Sequence, residues 1–310
     1  MRLVMLGTGP FAVPTLRALA ASPHEVACVV TRPPRGRRPE PPPMQTAAEQ
    51  LGLTVWQPET LNADAAVEQL RQFGPDLLVV CDYGEILKAP VLAAARLGGV
   101  NLHGSLLPQY RGAAPVQWAV LNGDARTGNT VIQMSTGLDA GPILAAESLD
   151  IDPDETAGEL ERRLSERGGA LVLQTIEALQ AGTAEPRPQD RRLASKAPRL
   201  DKQDGAIDWT RPAAALKNQV RALDPWPRAF THWRRPGGEP LRLILHRVQA
   251  VDAPAPAPPG AVVEAGPRLV VAAGEGALGI QQLQPSGKRV LEAAEFLRGY
   301  PVAAGAEFGA

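Results

Sequence analysis

The chain has 310 residues and a formal net charge of −1, with 44% hydrophobic and 21% charged residues, a composition typical of a soluble globular protein with a sizeable core. A net charge so close to zero excludes a global field that would attract nucleic acid or an anionic membrane, so any polyanion must be bound by local basic runs. No apolar stretch approaches 18 residues and glycine interrupts the N-terminus early, so we expect no membrane span and no signal peptide. Cys28 and Cys81 lie in apolar runs, which predicts buried thiols in a reducing, cytoplasmic compartment.

The first half of the chain alternates apolar, strand-like runs with helix-like segments. Strands are predicted at 2–6, 25–31, 53–58, 76–81, 98–104 and 129–135. Helices are predicted at about 14–22, 44–52, 62–73, 88–96, 114–121 and 155–180. Continuous apolar strands that alternate with helices predict an α/β fold with a mostly parallel, Rossmann-like sheet, doubly wound by right-handed crossovers.

The pattern changes near residue 185. The segment 186–202 carries six basic residues and three prolines, which suits an extended linker. Beyond it, short strands separated by Gly/Pro turns predict a small, OB-like β-barrel. We therefore expect an α/β domain at 1–187, a basic linker at 188–205 and a C-terminal β-barrel domain at 206–310.

The first predicted strand is followed by "GTGPFA" (7–12), which fits the dinucleotide fingerprint G-x-G-x-x-G/A with Ala12 in the last position. The second strand ends on Thr31 and Arg32 instead of the acidic residue that NAD requires. The motif therefore allows an NADP-dependent oxidoreductase at most. Pro10 removes one amide that could face a phosphate, and a tight strand-to-helix turn explains the same residues.

The stretch "GGVNLHGSLLPQYRGAAP" (98–115) contains the most informative polar residues of the chain. Asn101 and His103 lie two residues apart in a strand and share one face, at a carboxyl end of the kind where open parallel sheets bind ligands. The next predicted strand is followed by "GLDAGPIL", which we expect to place Asp139 at the same edge. An amide donor, a titrating imidazole and a carboxylate without a nearby nucleophilic Ser or Cys predict direct acyl transfer. A structural histidine at a strand end is an equally weighted alternative.

The stretch "NLHGSLLPQYRGAAP", with "GLDAGPIL" beyond it, resembles the folate-dependent formyltransferase superfamily. The resemblance covers nearly the whole chain, and the later segments "DGAIDWTRPA", "ALDPWPRAFT" and "LQPSGKR" are similar to the members that act on initiator tRNA. It implies transfer of the formyl group of 10-formyltetrahydrofolate to the amino group of methionyl initiator tRNA, through a tetrahedral intermediate and without a metal, for translation initiation. It also implies a catalytic first domain and a tRNA-binding barrel, in a monomer that needs no membrane.

On the matching positions, Asn101, His103 and Asp139 would be the catalytic residues. Asn101 and protonated His103 would stabilise the oxyanion, while Asp139 would support His103 and relay the proton lost by the attacking amine. The residues that would shape the folate pocket are Ser105, Leu106, Leu107, Pro108, Ile86 and Leu87. The basic residues that would bind tRNA, in the loop "TRPPRGRRPEPPP" (31–43) and in the linker, are Arg35, Arg37, Arg38, Arg191, Arg192 and Lys196. Without the resemblance, a solvated loop is the favoured interpretation of the first run, and a solvated linker explains the second run equally well.

The sequence departs from the family pattern at three places. It has "GTGPFA" where relatives usually carry a Thr-Pro pair and an acidic residue, Asp82 where a small residue is usual, and Ala140 in place of a threonine. The alternatives that remain open are a formyltransferase for a nucleotide-linked amino sugar, a formyl-folate hydrolase, an NADP-dependent oxidoreductase and a non-catalytic RNA-binding protein. The predicted barrel and the basic runs favour tRNA over a small free substrate.

Overall fold

The computed structural model describes residues 1–36, 39–253 and 255–309. Its strands are β1 Arg2–Leu6, β2 Glu25–Val30, β3 Val55–Trp56, β4 Leu77–Val80, β5 Gly99–His103, β6 Arg111–Gly112, β7 Arg126–Gln133, β8 Ile143–Asp150, β9 Lys196–Ala197, β10 Ala229–Trp233, β11 Leu241–Val251, β12 Val262–Ala265, β13 Leu269–Ala272, β14 Ala277–Pro285, β15 Leu291–Glu292 and β16 Phe308–Gly309. Its helices are α1 Val13–Ala20, α2 Pro43–Gln50, α3 Asp64–Gln72, α4 Ala89–Leu92, α5 Pro115–Leu121, α6 Ala157–Ala181, α7 Ala213–Ala222 and α8 Ala293–Gly299. The chain forms two compact units: unit 1 from residues 1–115, 126–150 and 160–198, and unit 2 from 116–125, 151–159 and the residues after 198.

Unit 1 is built on a seven-stranded sheet with the order β3-β2-β1-β4-β5-β7-β8. The five strands β1 to β5 are parallel, whereas β7 is antiparallel to β5 and β8 is antiparallel to β7. The strand order reverses between β1 and β4, which is the switch point where open α/β sheets bind ligands. The predicted Rossmann-like sheet is therefore confirmed, with an antiparallel hairpin added at one edge.

The sheet of unit 1 is covered on both faces. Leu3, Val4, Met5 and Leu6 are consecutive residues of β1, and all four are fully buried. Since successive side chains of a strand point to opposite faces, four buried neighbours require a covering layer on each side. On one side Val4 and Leu6 pack in a continuous core with Leu70 of α3. This double burial explains why the strand is uniformly apolar and does not alternate with polar residues.

The two cysteines are free and buried, as predicted. Burial raises the pKa of Cys28 to about 12, so this thiol stays protonated at neutral pH. Over the described part of the chain, no helix has the length and apolar character needed to cross a lipid bilayer.

Unit 2 contains an antiparallel sheet with the order β12-β13-β14-β11-β10-β16. The two ends of this order meet, because Ala261 next to β12 pairs with Glu307 next to β16, and the amide of Phe308 donates to the carbonyl of Gly260 at 2.7 Å. The sheet thus closes into a small barrel around a core that includes Trp233 and Phe296, which confirms the predicted C-terminal β-barrel. Two helices of this unit, α7 and α8, were not predicted.

Part of the segment expected to be a linker, 188–205, is fastened to unit 1. Its strand β9 pairs with β6 in a two-stranded parallel sheet. The hydroxyl of Ser195 also accepts a hydrogen bond from the amide of Tyr110 at 2.8 Å. This stretch therefore packs on the turn that follows β5, and the division between the units falls after Pro198.

Candidate active site

The end of β5 presents Asn101 and His103 on one side and Leu102 on the other, as its period of two requires. Leu102 is 3% exposed and lies so close to α6 that a Cβ atom on Gly168 would stand 2.4 Å from its side chain. This packing fixes the rotation of the strand. Asn101 and His103 therefore point away from α6, with Asn101 paired to Val80 of the parallel neighbour β4.

His103 is buried, and both of its ring nitrogens face protein groups. Its Nε2 lies 2.9 Å from the carbonyl oxygen of Tyr110; since a carbonyl can only accept, this nitrogen carries a proton. Its Nδ1 lies 3.7 Å from Oδ2 of Asp139, whose side chain is 13% exposed. Nδ1 is therefore the nitrogen that can exchange a proton with a substrate, and it faces the carboxylate of Asp139.

The loop that places Asp139 near His103 follows a different path from the one expected. We expected its loop at the carboxyl edge of a parallel strand, but β7 is antiparallel and its last residue, Gln133, pairs with Val100 at the other end of β5. The loop between β7 and β8 instead folds back toward β5, with Asp139 at a φ of 45° and its Oδ2 accepting from the amide of Gly112 at 2.9 Å. The argument from the sheet edge was wrong, although the two side chains lie close together.

Asn101 differs from His103 in having no protein partner. It is half-buried, and among the residues that the structure describes its carboxamide makes no hydrogen bond. Its NH₂ group, on the same strand face as the ring of His103, is free to donate to a ligand. An amide donor and an imidazole on one face of a strand can together stabilise an oxyanion that binds there.

Gln189 holds the loop of Asp139 in place and was missed by the sequence analysis. Its Nε2 donates to the carbonyl oxygens of Asp139 at 2.8 Å and of Gly141 at 2.7 Å. Its Oε1 accepts from Nε and Nη2 of Arg111 at 3.1 and 2.6 Å. No motif marks this glutamine, which stands in the segment expected to be a solvated linker.

Some side chains of the turn "HGSLLP" are buried and stabilise the turn itself. Ser105 is fully buried, and its hydroxyl donates to the carbonyl of Gln109 at 2.7 Å. Leu107 is 6% exposed, whereas Leu106 and Pro108 are half-buried. Of the four residues expected to shape a folate pocket here, Ser105 and Leu107 stabilise the turn, and Leu106 and Pro108 are open to a ligand.

The two remaining pocket candidates are placed very differently. The side chain of Ile86 is 65% exposed, which is unusual for a large apolar residue. Leu87 is 2% exposed and belongs to the hydrophobic core of unit 1. Ile86 therefore offers an open apolar surface near the carboxyl end of β4, and Leu87 anchors the turn that carries it.

The loop after β1 is not a cradle for a dinucleotide phosphate. The amide of Gly7 donates to the carbonyl of Val30 at 3.0 Å, and the amides of Thr8 and Gly9 point at the carbonyl of Asp82 at 2.9 and 3.4 Å. The amides that such a motif turns toward pyrophosphate are thus occupied by the protein itself. The NADP interpretation of this motif is wrong, because the loop serves to join β1 to β4.

Asp82 makes the same region unfavourable for anions. A Cβ atom on Gly9 would lie 1.9 Å from Oδ2 of Asp82, so the carboxylate occupies space that only a glycine leaves open. The glycine in "GTGPFA" and the aspartate at position 82, two of the departures from the family pattern, therefore belong together. Although solvent reaches the residue, desolvation of the carboxyl group and, secondarily, repulsion from Glu161 raise the pKa of Asp82 to about 7. Arg32, the expected 2′-phosphate ligand, lies 3.1 Å from the carboxylate of Glu85 instead.

The basic loop 31–43 is described only in part. Arg37 and Arg38 lie outside the described residues. Arg35 is exposed, and its guanidinium lies 3.4 Å from the carboxylate of Glu59, which is itself 82% exposed. Such a surface pair is weak, so Arg35 can exchange this partner for a phosphate.

The basic residues of the linker are also at the surface. Arg191, Arg192 and Lys196 are all exposed. Arg192 pairs with Asp190 at 2.7 Å, which compensates its charge locally. Lys196 lies on β9, next to the turn that follows β5.

Comparison with known proteins places this geometry in a family. The family model described as formyl transferase matches residues 1–176, and the model described as formyl transferase, C-terminal domain, matches 199–301. The chain belongs to the formyl transferase family. A methionyl-tRNA formyltransferase of Desulfotalea psychrophila is 44% identical over 98% of this chain and 94% of the relative, and one of Solibacter usitatus is 46% identical over 96% of both.

Solved structures of other formyl transferases and of related proteins show the same fold. The chain matches WlaRD, a sugar 3N-formyl transferase crystallised with dTDP and 5-N-formyl-tetrahydrofolate, with a TM-score of 0.66 and 16% identity over 93% of this chain and 99% of that one. It matches HypX of Aquifex aeolicus in complex with tetrahydrofolic acid with a TM-score of 0.62 and 18% identity over 96% of this chain. The chain spans about half of HypX, since the match covers 47% of that protein.

Proposed function

We propose that this formyl transferase moves the formyl group of 10-formyltetrahydrofolate to the amino group of methionyl initiator tRNA. The observation that carries the proposal is the similarity, at 44–46% identity and over nearly the whole length of both chains, to relatives named methionyl-tRNA formyltransferase. Both units take part in that similarity.

In this proposal the site stabilises charge and moves one proton. The methionyl amine attacks the formyl carbon directly, and the NH₂ group of Asn101 and the Nδ1 proton of His103 donate to the oxygen that becomes negative. Asp139, 3.7 Å from that nitrogen, stabilises the imidazolium and takes part in relaying the proton that the amine loses. The tetrahedral intermediate collapses when the bond between the formyl carbon and N10 of the folate breaks, and the relayed proton goes to N10. No covalent enzyme intermediate is needed.

The two substrates are assigned to different surfaces of the protein. The folate donor would lie against Ile86, Leu106 and Pro108, which leave apolar surface open near the ends of β4 and β5. The tRNA would be bound by the exposed arginines of the basic loop and by the basic residues near β9, in addition to the barrel. We further propose that the protein works as a monomer in the cytoplasm, where initiator tRNA is charged.

Transfer to a nucleotide-linked amino sugar is the second candidate, because the sugar formyl transferase WlaRD shares the fold over almost its whole length. Its 16% identity supports only the fold, whereas the tRNA relatives share more than 40% of the sequence. The exposed arginines of the loop and the linker also favour an RNA acceptor.

The proposal is tested by incubating the protein with 10-formyltetrahydrofolate labelled in the formyl group. One reaction contains methionyl initiator tRNA, the second contains a dTDP-linked amino sugar, and the third contains methionyl elongator tRNA. Label in formyl-methionyl-tRNA is the expected result. Label in the sugar alone would replace the proposal with the second candidate.

A further inference from the structure

Two residues in and next to β6 bind the candidate catalytic groups through their backbone. The carbonyl oxygen of Tyr110 accepts from Nε2 of His103 at 2.9 Å, and the amide of Gly112 donates to Oδ2 of Asp139 at 2.9 Å. Tyr110 and Gly112 are only two positions apart in the chain. Whatever fixes this short stretch therefore fixes the imidazole and the carboxylate together.

Tyr110 has a backbone conformation that needs support from its surroundings. Its φ is 63°, in the left-handed region that is unfavourable for a residue with a Cβ atom. Ser195 binds the backbone on both sides of it: its Oγ accepts from the amide of Tyr110 at 2.8 Å, and its carbonyl oxygen accepts from the amide of Arg111 at 2.9 Å. The two peptide planes that flank the Cα atom of Tyr110 are thus bound to one serine. The carbonyl of Tyr110 cannot turn away from His103 without breaking a bond to Ser195.

The strand β9, which follows Ser195 directly, determines where Gly112 lies. It pairs with β6, and the carbonyl oxygen of Ala197 accepts from the amide of Ala113 at 2.8 Å. A Cβ atom on Gly112 would stand 2.5 Å from that carbonyl oxygen, so the two backbones approach more closely than a side chain permits. The amide that donates to Asp139 is therefore held against β9.

The carbonyl of Tyr110 matters for the chemistry because of the proton on Nε2 of His103. In the proposed mechanism the ring passes between a form protonated on both nitrogens and a form protonated on Nε2 alone. Both forms need an acceptor at Nε2, because the ring is buried. The competing neutral tautomer carries its proton on Nδ1, which faces the carboxylate of Asp139 at 3.7 Å. A displaced carbonyl would remove the reason for the proton to stay on Nε2.

We propose that Ser195 is a positioning residue for the formyl transfer, which fixes the Nε2 acceptor of His103 through the backbone of Tyr110. This inference rests on the proposed function. Ser195 lies in the segment that the sequence places in a solvated linker, and its contacts with the turn after β5 give that segment a part in the reaction. Since Ser195 acts through Tyr110 and not on a substrate, turnover depends on it and substrate binding does not.

The first test is steady-state kinetics of the full chain with 10-formyltetrahydrofolate and methionyl initiator tRNA. Ser195→Ala removes one hydrogen bond and is expected to lower kcat about threefold to tenfold, with KM for either substrate changed by less than about twofold. Ser195→Thr keeps the hydroxyl and should retain the wild-type kcat. Ser195→Val has nearly the shape of threonine without the hydroxyl and should be as slow as Ser195→Ala. The control is Ser148→Ala, which removes an exposed serine hydroxyl from β8 in the same unit and should leave both constants unchanged.

The second test reports the tautomer of His103 and needs no substrate. In protein with ¹⁵N-labelled histidine, at about pH 8 and so above the ordinary pKa of histidine, the nitrogen chemical shifts show which ring nitrogen carries the proton. The resonances of His103 are assigned by their loss in His103→Ala. In the wild type and in Ser195→Thr they should show the proton on Nε2. In Ser195→Ala and Ser195→Val a second population should have it on Nδ1.

Thermal unfolding checks that each variant is folded, and if Ser195→Ala is not, the comparison of Ser195→Thr with Ser195→Val decides. An unchanged kcat, a change in KM alone or an unchanged tautomer in Ser195→Ala would each overturn the positioning role. Equal losses in Ser195→Thr and Ser195→Val would overturn it too, because the hydroxyl would then be irrelevant. A wild type that does not formylate methionyl-tRNA would refute the proposed function, while the tautomer in Ser195→Ala would still decide whether Ser195 positions His103.

Discussion

The protein holds Asn101 and His103, neighbours on one face of β5, in opposite ways. The ring of His103 is buried, bonded to the carbonyl of Tyr110 and placed beside Asp139. Asn101 is half-buried, and no group in the described residues bonds its carboxamide. The histidine therefore contributes to folding as well as to the proposed chemistry, whereas the asparagine is available for the proposed contact with a ligand.

This difference predicts that two alanine variants separate activity from stability. Asn101→Ala lowers kcat/KM about 10²–10³-fold, the usual cost of one oxyanion donor, while the free energy of unfolding changes by less than about 0.5 kcal/mol. His103→Ala lowers activity at least as much and destabilises the protein by about 1–3 kcal/mol, because the buried carbonyl of Tyr110 loses its donor. Formyl transfer assays and urea unfolding measure the two quantities. A strongly destabilised Asn101→Ala would show that its amide bonds the protein after all.

Asp82 predicts a pH dependence of stability. Its pKa is about 7 in the folded protein against an ordinary 3.8, so between these values the folded state binds more protons than the unfolded state and stability falls as the pH rises. Asp82→Asn removes this loss. The difference in stability between the variant and the wild type should therefore be more favourable to the variant at pH 8 than at pH 5. We expect a gain of about 1 kcal/mol, because the interval above pH 5 covers only part of the roughly 4 kcal/mol of a full shift and solvent access to the residue reduces it further. Urea unfolding at both pH values measures it; a difference independent of pH would contradict it.

On the scale of elements, the loop between β7 and β8 decides the geometry of the site. It carries Asp139 back toward β5, and Gln189 ties its backbone to Arg111 in the turn after β5. These two connections join residues separated by 78 and 50 positions in the chain. The carboxylate is therefore placed by contacts that are distant in sequence.

Gln189→Ala is expected to lower kcat about 10- to 10²-fold with little change in KM for folate, because a misplaced Asp139 acts on the reacting groups and not on binding. Gln189→Glu keeps the acceptor for Arg111 but loses the NH₂ group that holds two carbonyls. It should be as impaired as the alanine variant. Steady-state kinetics of both variants provide the measurement, and wild-type turnover in Gln189→Glu would show that the carbonyl contacts are dispensable.

Strands could be predicted from the sequence where their burial produces a local run of apolar residues. The strands predicted at 2–6 and 25–31 match β1 and, within one residue, β2, because their apolar residues are contiguous. β8 was missed: its burial alternates only from Ala145 onward, its half-buried side carries Glu147, and it is defined as a strand by its pairing with β7. Asn101 and His103 follow from the period of two, but the approach of Asp139 depends on an antiparallel pairing that no local pattern reveals.

At the scale of the whole molecule, a net charge of −1 gives no general attraction for RNA. The exposed basic residues near unit 1's site must then act locally, as Arg35 does with a weak surface partner. Many other surface arginines are already paired, for example Arg126 with Asp150 at 2.9 Å. Under the proposed function, weakly paired cations such as Arg35 would then determine where the tRNA binds.

This distribution predicts a specific salt dependence of tRNA binding. Each cation that contacts a phosphate contributes about 0.7–0.9 to the slope of log K against log salt concentration, so replacing Arg35, Arg37 and Arg38 together by alanine should flatten the slope by about 2–3. Filter binding of initiator tRNA between about 50 and 200 mM salt covers the range in which such contacts are lost. Arg126→Ala is the control, because its exposed guanidinium is compensated by Asp150 and should leave the slope unchanged. If the triple variant keeps the wild-type slope while binding more weakly, the loop acts through its conformation and not through phosphate contacts.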